Sequence, residues 1–221
     1  MSIYENAKNL IEKVKAINPD AIIVGACKMR SIENILEANS GGIEVFAENK
    51  AQEFRDKYPS LSTLKWHFIG SLQKNKVKYL VGKVDLIQSV DKIDVLQEIS
   101  RLAVKNGITQ NILIEVNVGE EESKSGISID SFDEFYNIAL NTPNVIVKGI
   151  MGVMPINAPL QLYLRISELY DRIKSANQNI EYLSVGMSGD YEIALKHGAN
   201  IVRLGTCLFG ERDYSKDEVK K

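Results

Sequence analysis

Cysteine and histidine are scarce in this sequence, two of each among 221 residues. Cys27 and Cys207 cannot build a disulfide framework, and no metal-ligand spacing joins them, so a reducing, cytoplasmic setting is expected. The opening residues MSIYENAKNLIEKV lack the apolar core of a secretory signal. No apolar run is long enough to span a membrane. An excess of charge is missing too. The chain carries 27 basic and 29 acidic residues, so no global field argues for nucleic acid or an anionic membrane as partner. Lys74, Lys76, Lys78 and Lys83 form a basic helix, but net positive charge and interleaved aromatics are wanting, and the segment reads as a solvated face. The acidic run Glu120 to Glu122 lacks the spacing of a calcium loop and contains no histidine, and reads as a mobile loop.

What is present is a repeat of short Val-, Ile- or Phe-rich strands separated by amphipathic segments. Eight strands are predicted: Ala21 to Cys27, Ile43 to Ala47, Lys65 to Ile69, Val84 to Ser89, Asn111 to Val116, Val145 to Met151, Glu181 to Val185 and Ile201 to Gly205. The clearest helices run from Ile93 to Lys105, Phe132 to Leu140 and Leu160 to Ser175, where apolar residues recur at three- and four-residue spacing. A leading helix starts at a capping box, Ser2 with Glu5, and Gly107 and Gly198 mark helix ends. Hydrophobic residues make up 44% of the chain, enough for one core. Eight strand-and-helix units predict a single (β/α)8 TIM-type barrel with an extra N-terminal helix, spanning residues 1–221 with a frayed tail after about residue 214. An open doubly wound sheet is the alternative, but no G-x-G-x-x-G turn follows the first strand.

Ligands of α/β folds sit at the carboxyl ends of strands. The first strand, AIIVGACK, ends on Lys28, an amine able to form a Schiff base; a lysine in that place also serves simply to reach water. Phosphate sites in such barrels use the loops after the seventh and eighth strands. Here those loops are Gly186-Met187-Ser188-Gly189-Asp190 and Gly205-Thr206. Ser188 could cap the next helix or give its hydroxyl to a phosphate. Alternation on the last strand turns Arg203 inward, where a guanidinium needs an acceptor. Glu115 is one candidate, and a ligand ring nitrogen is another. An imine-forming lysine, a phosphate cradle and an inward arginine together describe a site for pyridoxal 5′-phosphate (PLP).

The same residues resemble the PLP homeostasis proteins, whose fold is similar to the barrel domain of alanine racemase. The resemblance runs nearly end to end, through FAENKAQE, WHFIGSLQKNK, EVNVGEEESKSG, GIMGVMP, GMSGDYEIALKHG and VRLGTCLFGERDY. It implies PLP held as a Schiff base on Lys28, a cofactor contact from Asn49, phosphate binding by Ser188, Gly205 and Thr206, and Arg203 near the pyridine nitrogen. Arg30 stands where the family often has a second lysine; it keeps the charge but cannot form an imine. Ala47 stands in place of the usual glycine and Gln88 in place of the usual histidine.

Three function classes follow: a carrier that holds and releases PLP without strong turnover, a PLP-dependent amino-acid racemase, and a Schiff-base aldolase without cofactor. A racemase needs two bases, and only His67 stands out as a partner for Lys28; a satisfied core histidine is its plainer reading. Racemases of this kind add a second domain, for which a chain ending at Lys221 has no room. The carrier is the expected function. Its expected partners are PLP, amino acids and PLP-dependent apo-enzymes, with no nucleic acid and no membrane, and the protein itself is expected to be a monomer.

Overall fold

A computed structural model describes residues 1–121 and 125–211. Glu122, Lys124 and the tail after residue 214 lie outside the described residues. Eight strands close into one parallel barrel in chain order: β1 Ile22–Ala26, β2 Val45–Glu48, β3 Lys65–Phe68, β4 Leu86–Val90, β5 Gln110–Val116, β6 Val145–Gly152, β7 Tyr182–Ser184 and β8 Ile201–Leu204. The barrel of the sequence reading is therefore the fold, and β1 pairs with both β2 and β8. Inward positions carry a small apolar core of Val24, Val45, Ala47, Leu86, Leu113, Met151 and Ile201. Outward positions belong to a larger cluster with the helices, including Phe46, Trp66, Ile87, Ile114, Val202 and Leu204. This two-layer burial is why the strands read as unbroken apolar runs.

The helices are α1 Ile3–Ile17, α2 Ile32–Ser40, α3 Ala51–Lys57, α4 Ile93–Asn106, α5 Phe132–Leu140, α6 Leu160–Ala176, α7 Tyr191–Lys196 and α8 Thr206–Phe209. Ser2 and Glu5 form the capping box of α1 through both reciprocal hydrogen bonds. Gly107 ends α4 in the left-handed conformation, at φ 63°. α8 has only four residues, too few to cover the β8/β1 seam. The extra helix fills that place: α1 packs on α2, α7 and α8 and buries Ala7, Leu10 and Val14.

The third crossover departs from the pattern. Between β3 and β4 the chain makes a 3-10 helix, Lys74–Tyr79, in the segment read as the basic helix. An aromatic is interleaved there after all. Tyr79 lies under Arg55, Lys76 and Lys78, whose cationic groups stand 5.3 to 6.0 Å from its ring centre. Lys74, Lys78 and Lys83 are exposed, in keeping with a solvated face.

Candidate functional site

The residues singled out in the sequence gather at the carboxyl ends of the strands. By alternation from Val24 and Ala26, Lys28 continues the inward face of β1. It sits half-buried in a turn after the strand, and Met29 next to it adopts a left-handed φ of 60°. Asn49 follows β2 directly and is half-buried. Its carbonyl lies so close to Gly70 that a Cβ there would stand 1.9 Å from it, so glycine is obligatory where the ends of β2 and β3 meet.

Across the β1/β8 seam, Gly25 pairs with Leu204, which sets Ala26 beside Gly205. Ser188 does not cap the next helix; that position belongs to Asp190. Its hydroxyl oxygen instead accepts from the amides of Gly205 at 3.3 Å and Cys207 at 3.2 Å. The loop carrying Ser188 is itself fixed. Asp190 accepts from the Met187 amide at 2.7 Å and from the Tyr163 hydroxyl at 2.9 Å. Thr206, the first residue of α8, is exposed. Ser188, Gly205 and Thr206 are thus brought together, with Lys28 beginning the turn beside them.

Arg203 points inward and is 4% exposed. Glu115 is not the acceptor that holds it. Arg203 Nη1 donates to the Ser184 carbonyl and hydroxyl oxygens, both at 2.8 Å, and Nη2 donates to the Gly152 carbonyl at 2.9 Å. Carbonyls at the end of β6 and on β7 lie nearer than the carboxylate on β5. Burial still pulls the guanidinium pKa down to about 10, with Glu115 opposing the shift through its charge. Glu115 in turn is pushed up to about 7 by burial and by Asp91, with Arg203 and Lys92 opposing.

A directional chain of hydrogen bonds runs from this arginine. Guanidinium only donates, so the Ser184 hydroxyl accepts from Arg203 and passes its own proton to Gln88 Oε1 at 2.6 Å. That fixes the Gln88 amide with its nitrogen toward His67 Nδ1, 2.8 Å away. Nδ1 must accept, so the proton of His67 sits on Nε2. Burial lowers the His67 pKa to about 3, and the ring is neutral. The plainer reading of His67, a satisfied core histidine, is the one the structure bears out. Gln88, on β4, joins β3 to β7.

Sequence reasoning missed the Cys207 amide, the Ser184 link and the role of Arg30. Arg30 donates to the carbonyls of Phe209, Gly210 and Glu211, which ties the Lys28 turn to the chain after α8. Only the strand alternation that places Ser184 inward was available as a signal. At the other end of the barrel a cleft is lined by Ile22, Val45, Lys65, His67, Asp85 and Tyr182. Among the other site residues none lines it.

Several observations bear on whether the residues fit PLP. Gly205 has φ −109° and ψ −80°, outside the left-handed region that demands glycine, and a Cβ there would meet only Ala26, at 3.7 Å. A Cβ on Gly189 would meet nothing within 4 Å. Neither glycine is required by the packing of the protein around it, which is the pattern left where a ligand approaches closely. Arg203 has five N–H donors and spends three on protein acceptors, leaving Nε and one hydrogen of Nη2. These features suit a phosphate at the Ser188 loop and an aromatic nitrogen near Arg203. Among the described residues no cluster of His, Cys, Asp or Glu could hold a metal ion.

The alanine racemase N-terminal domain family matches residues 2–213. A pyridoxal phosphate homeostasis protein of Aquifex aeolicus is 45% identical over 219 residues, covering 96% of each chain. The solved structure of PipY from Synechococcus elongatus with PLP bound superposes with a TM-score of 0.83 at 25% identity, covering 93% of this chain and all of that one. An alanine racemase of Clostridium difficile shares the fold, with a TM-score of 0.73 at 16% identity, and this chain spans 58% of it. The chain belongs to the alanine racemase N-terminal domain family and, within it, to the pyridoxal phosphate homeostasis proteins.

Proposed function

We propose that the protein binds PLP reversibly in intracellular PLP homeostasis, with Lys28 as the attachment point and without strong turnover of amino acids. The observation that carries this reading is the loop after β8. There a glycine whose Cβ position is free of close contacts sits beside the β1 strand end, and its amide and that of Cys207 converge on Ser188 Oγ. PLP supplies an aldehyde that an amine can capture and a ring that can withdraw electrons from a bound amino acid. Lys28 would hold the aldehyde carbon, and Ser188, Gly205 and Thr206 the phosphate. Asn49 would contact the ring from the β2 side.

Two features favour a carrier over a racemase. Arg203 is a donor toward any ring nitrogen and disfavours protonation there, which weakens the electron sink. His67, the second base that a racemase would need, has its Nδ1 occupied by Gln88 and is held neutral by burial. Two free thiols, Cys27 and Cys207, and the lack of any helix among the described residues that could cross a membrane support a cytoplasmic setting. Amino acids and PLP-dependent apo-enzymes remain the proposed partners in exchange.

The test is the absorbance of the purified protein. A visible band removed by borohydride is expected; a colourless protein that borohydride traps only with a carbonyl substrate would favour the aldolase. Incubation of PLP-loaded protein with L-alanine and L-serine then separates carrier from enzyme. Racemisation or transamination several orders of magnitude above free PLP, abolished in Lys28→Ala, would overturn the carrier reading.

A further inference from the structure

The turn that presents Lys28 is gripped from outside the barrel by α3. Lys57 Nζ donates to the Cys27 carbonyl at 3.1 Å, on the peptide before Lys28. Glu53 Oε2 accepts from the Met29 amide at 3.0 Å, on the peptide after it. Glu53 and Lys57 are one helical turn apart on α3 and 3.7 Å from each other, so one rigid element holds both flanks of the lysine. Lys57 is in turn fixed by Glu48 Oε1 at 2.5 Å. Glu48 is fully buried, and its second oxygen has no hydrogen-bond partner. A half-satisfied buried carboxylate is costly, and burial raises its pKa to about 7. Met29, a non-glycine residue at φ 60°, adds strain to the turn between the two grips.

We infer that Glu53 and Lys57, the latter braced by Glu48, are positioning residues that lock the strained turn and thereby set where the Lys28 amine stands. This rests on the reading of Lys28 as the PLP attachment point. Neither residue needs to touch the ligand. Their effect should therefore fall on imine formation and spare the non-covalent binding of the phosphate and ring.

The experiment compares PLP with pyridoxine 5′-phosphate, an alcohol that cannot form an imine. In Glu53→Ala, which removes an acceptor without stranding the buried Glu48, PLP affinity should fall about tenfold, the usual weight of one charge-assisted hydrogen bond, while pyridoxine phosphate affinity stays at the wild-type value. Glu53→Gln keeps an acceptor oxygen and should restore PLP binding. Hydrogen exchange of the Met29 amide in ligand-free protein should accelerate about tenfold in Glu53→Ala by the same arithmetic. Glu48→Gln combined with Lys57→Met, a neutral pair of similar size, should repeat the PLP-selective loss. Equal weakening of both ligands, or unchanged PLP affinity with unchanged Met29 exchange, would overturn the inference. If wild-type protein bound neither ligand, the PLP reading would fail and take this proposal with it.

Discussion

The two walls of the site are built differently. On the β1–β2 side, the turn that carries Lys28 is strained and held by a helix-borne Glu53–Lys57 grip and a buried carboxylate. On the β7–β8 side, Ser188, Gly205 and the Cys207 amide make neutral hydrogen bonds around a loop with room to spare. The difference suits what each wall is proposed to meet. An amine must reach one carbon along one direction, so its backbone has to be rigid, and charged groups supply that rigidity. A phosphate offers many equivalent acceptor lone pairs, so backbone amides and a hydroxyl suffice if nothing bulky intrudes.

The sharpest way to break the comparison is to remove the amine. Lys28→Ala should lose all borohydride-trapped pyridoxyl label in peptide mass mapping, while the phosphate wall goes on binding pyridoxine phosphate. A label on Lys50 in the wild-type protein would refute the assignment. Next in size is Gly205→Ala. Its Cβ meets only Ala26 at ordinary contact distance, so thermal stability should change little. The added carbon would stand where the ligand is proposed to approach, and PLP affinity should fall about ten- to hundredfold, as for overpacking of about 1 to 3 kcal/mol.

Ser188→Ala tests the same wall more gently. Loss of one charge-assisted hydrogen bond should weaken PLP by about tenfold and leave pyridoxal, which has no phosphate, nearly unchanged. Equal losses for both, read by equilibrium dialysis, would remove Ser188 from the phosphate wall.

The smallest effect concerns His67, below both walls. Burial holds its pKa at about 3, against an ordinary value near 6.5. Between those values the unfolded chain binds a proton that the native ring refuses. The His67 contribution to stability is complete above pH about 6.5 and declines as pH falls toward about 3, at up to roughly 1.4 kcal/mol per pH unit. Glu48 and Glu115, both raised to about 7, contribute with the opposite sign, their native protons favouring the fold at low pH. His67→Gln should therefore be less acid-sensitive than wild type in urea unfolding at pH 4.5 against pH 7. An unchanged difference between the two pH values would show that His67 is not buried neutral.

Much of this was legible from local patterns. Apolar strands at regular spacing, each followed by a helical period, are properties of a few neighbouring residues, and they determined eight units and hence a barrel. Placement of Lys28 at a strand end and of Ser188, Gly205 and Thr206 in small loops followed from the same spacing. The capping box at Ser2 and Glu5 needed four residues only. Tertiary structure alone decided the rest, because the partners are distant in sequence and several were competing. Arg203 took carbonyls from Ser184 and Gly152 over the carboxylate of Glu115, since β6 and β7 bring those oxygens within hydrogen-bond reach. His67 is neutral because closure buries it, and its proton sits on Nε2 because Gln88 and Ser184 link Nδ1 to a group that can only donate. The short α8 left a gap that α1 fills. The grip of Glu53 and Lys57 on Lys28 exists only once the barrel sets α3 against the end of β1, because hydrogen bonding depends on where closure places each atom and a sequence pattern fixes only which face a residue occupies.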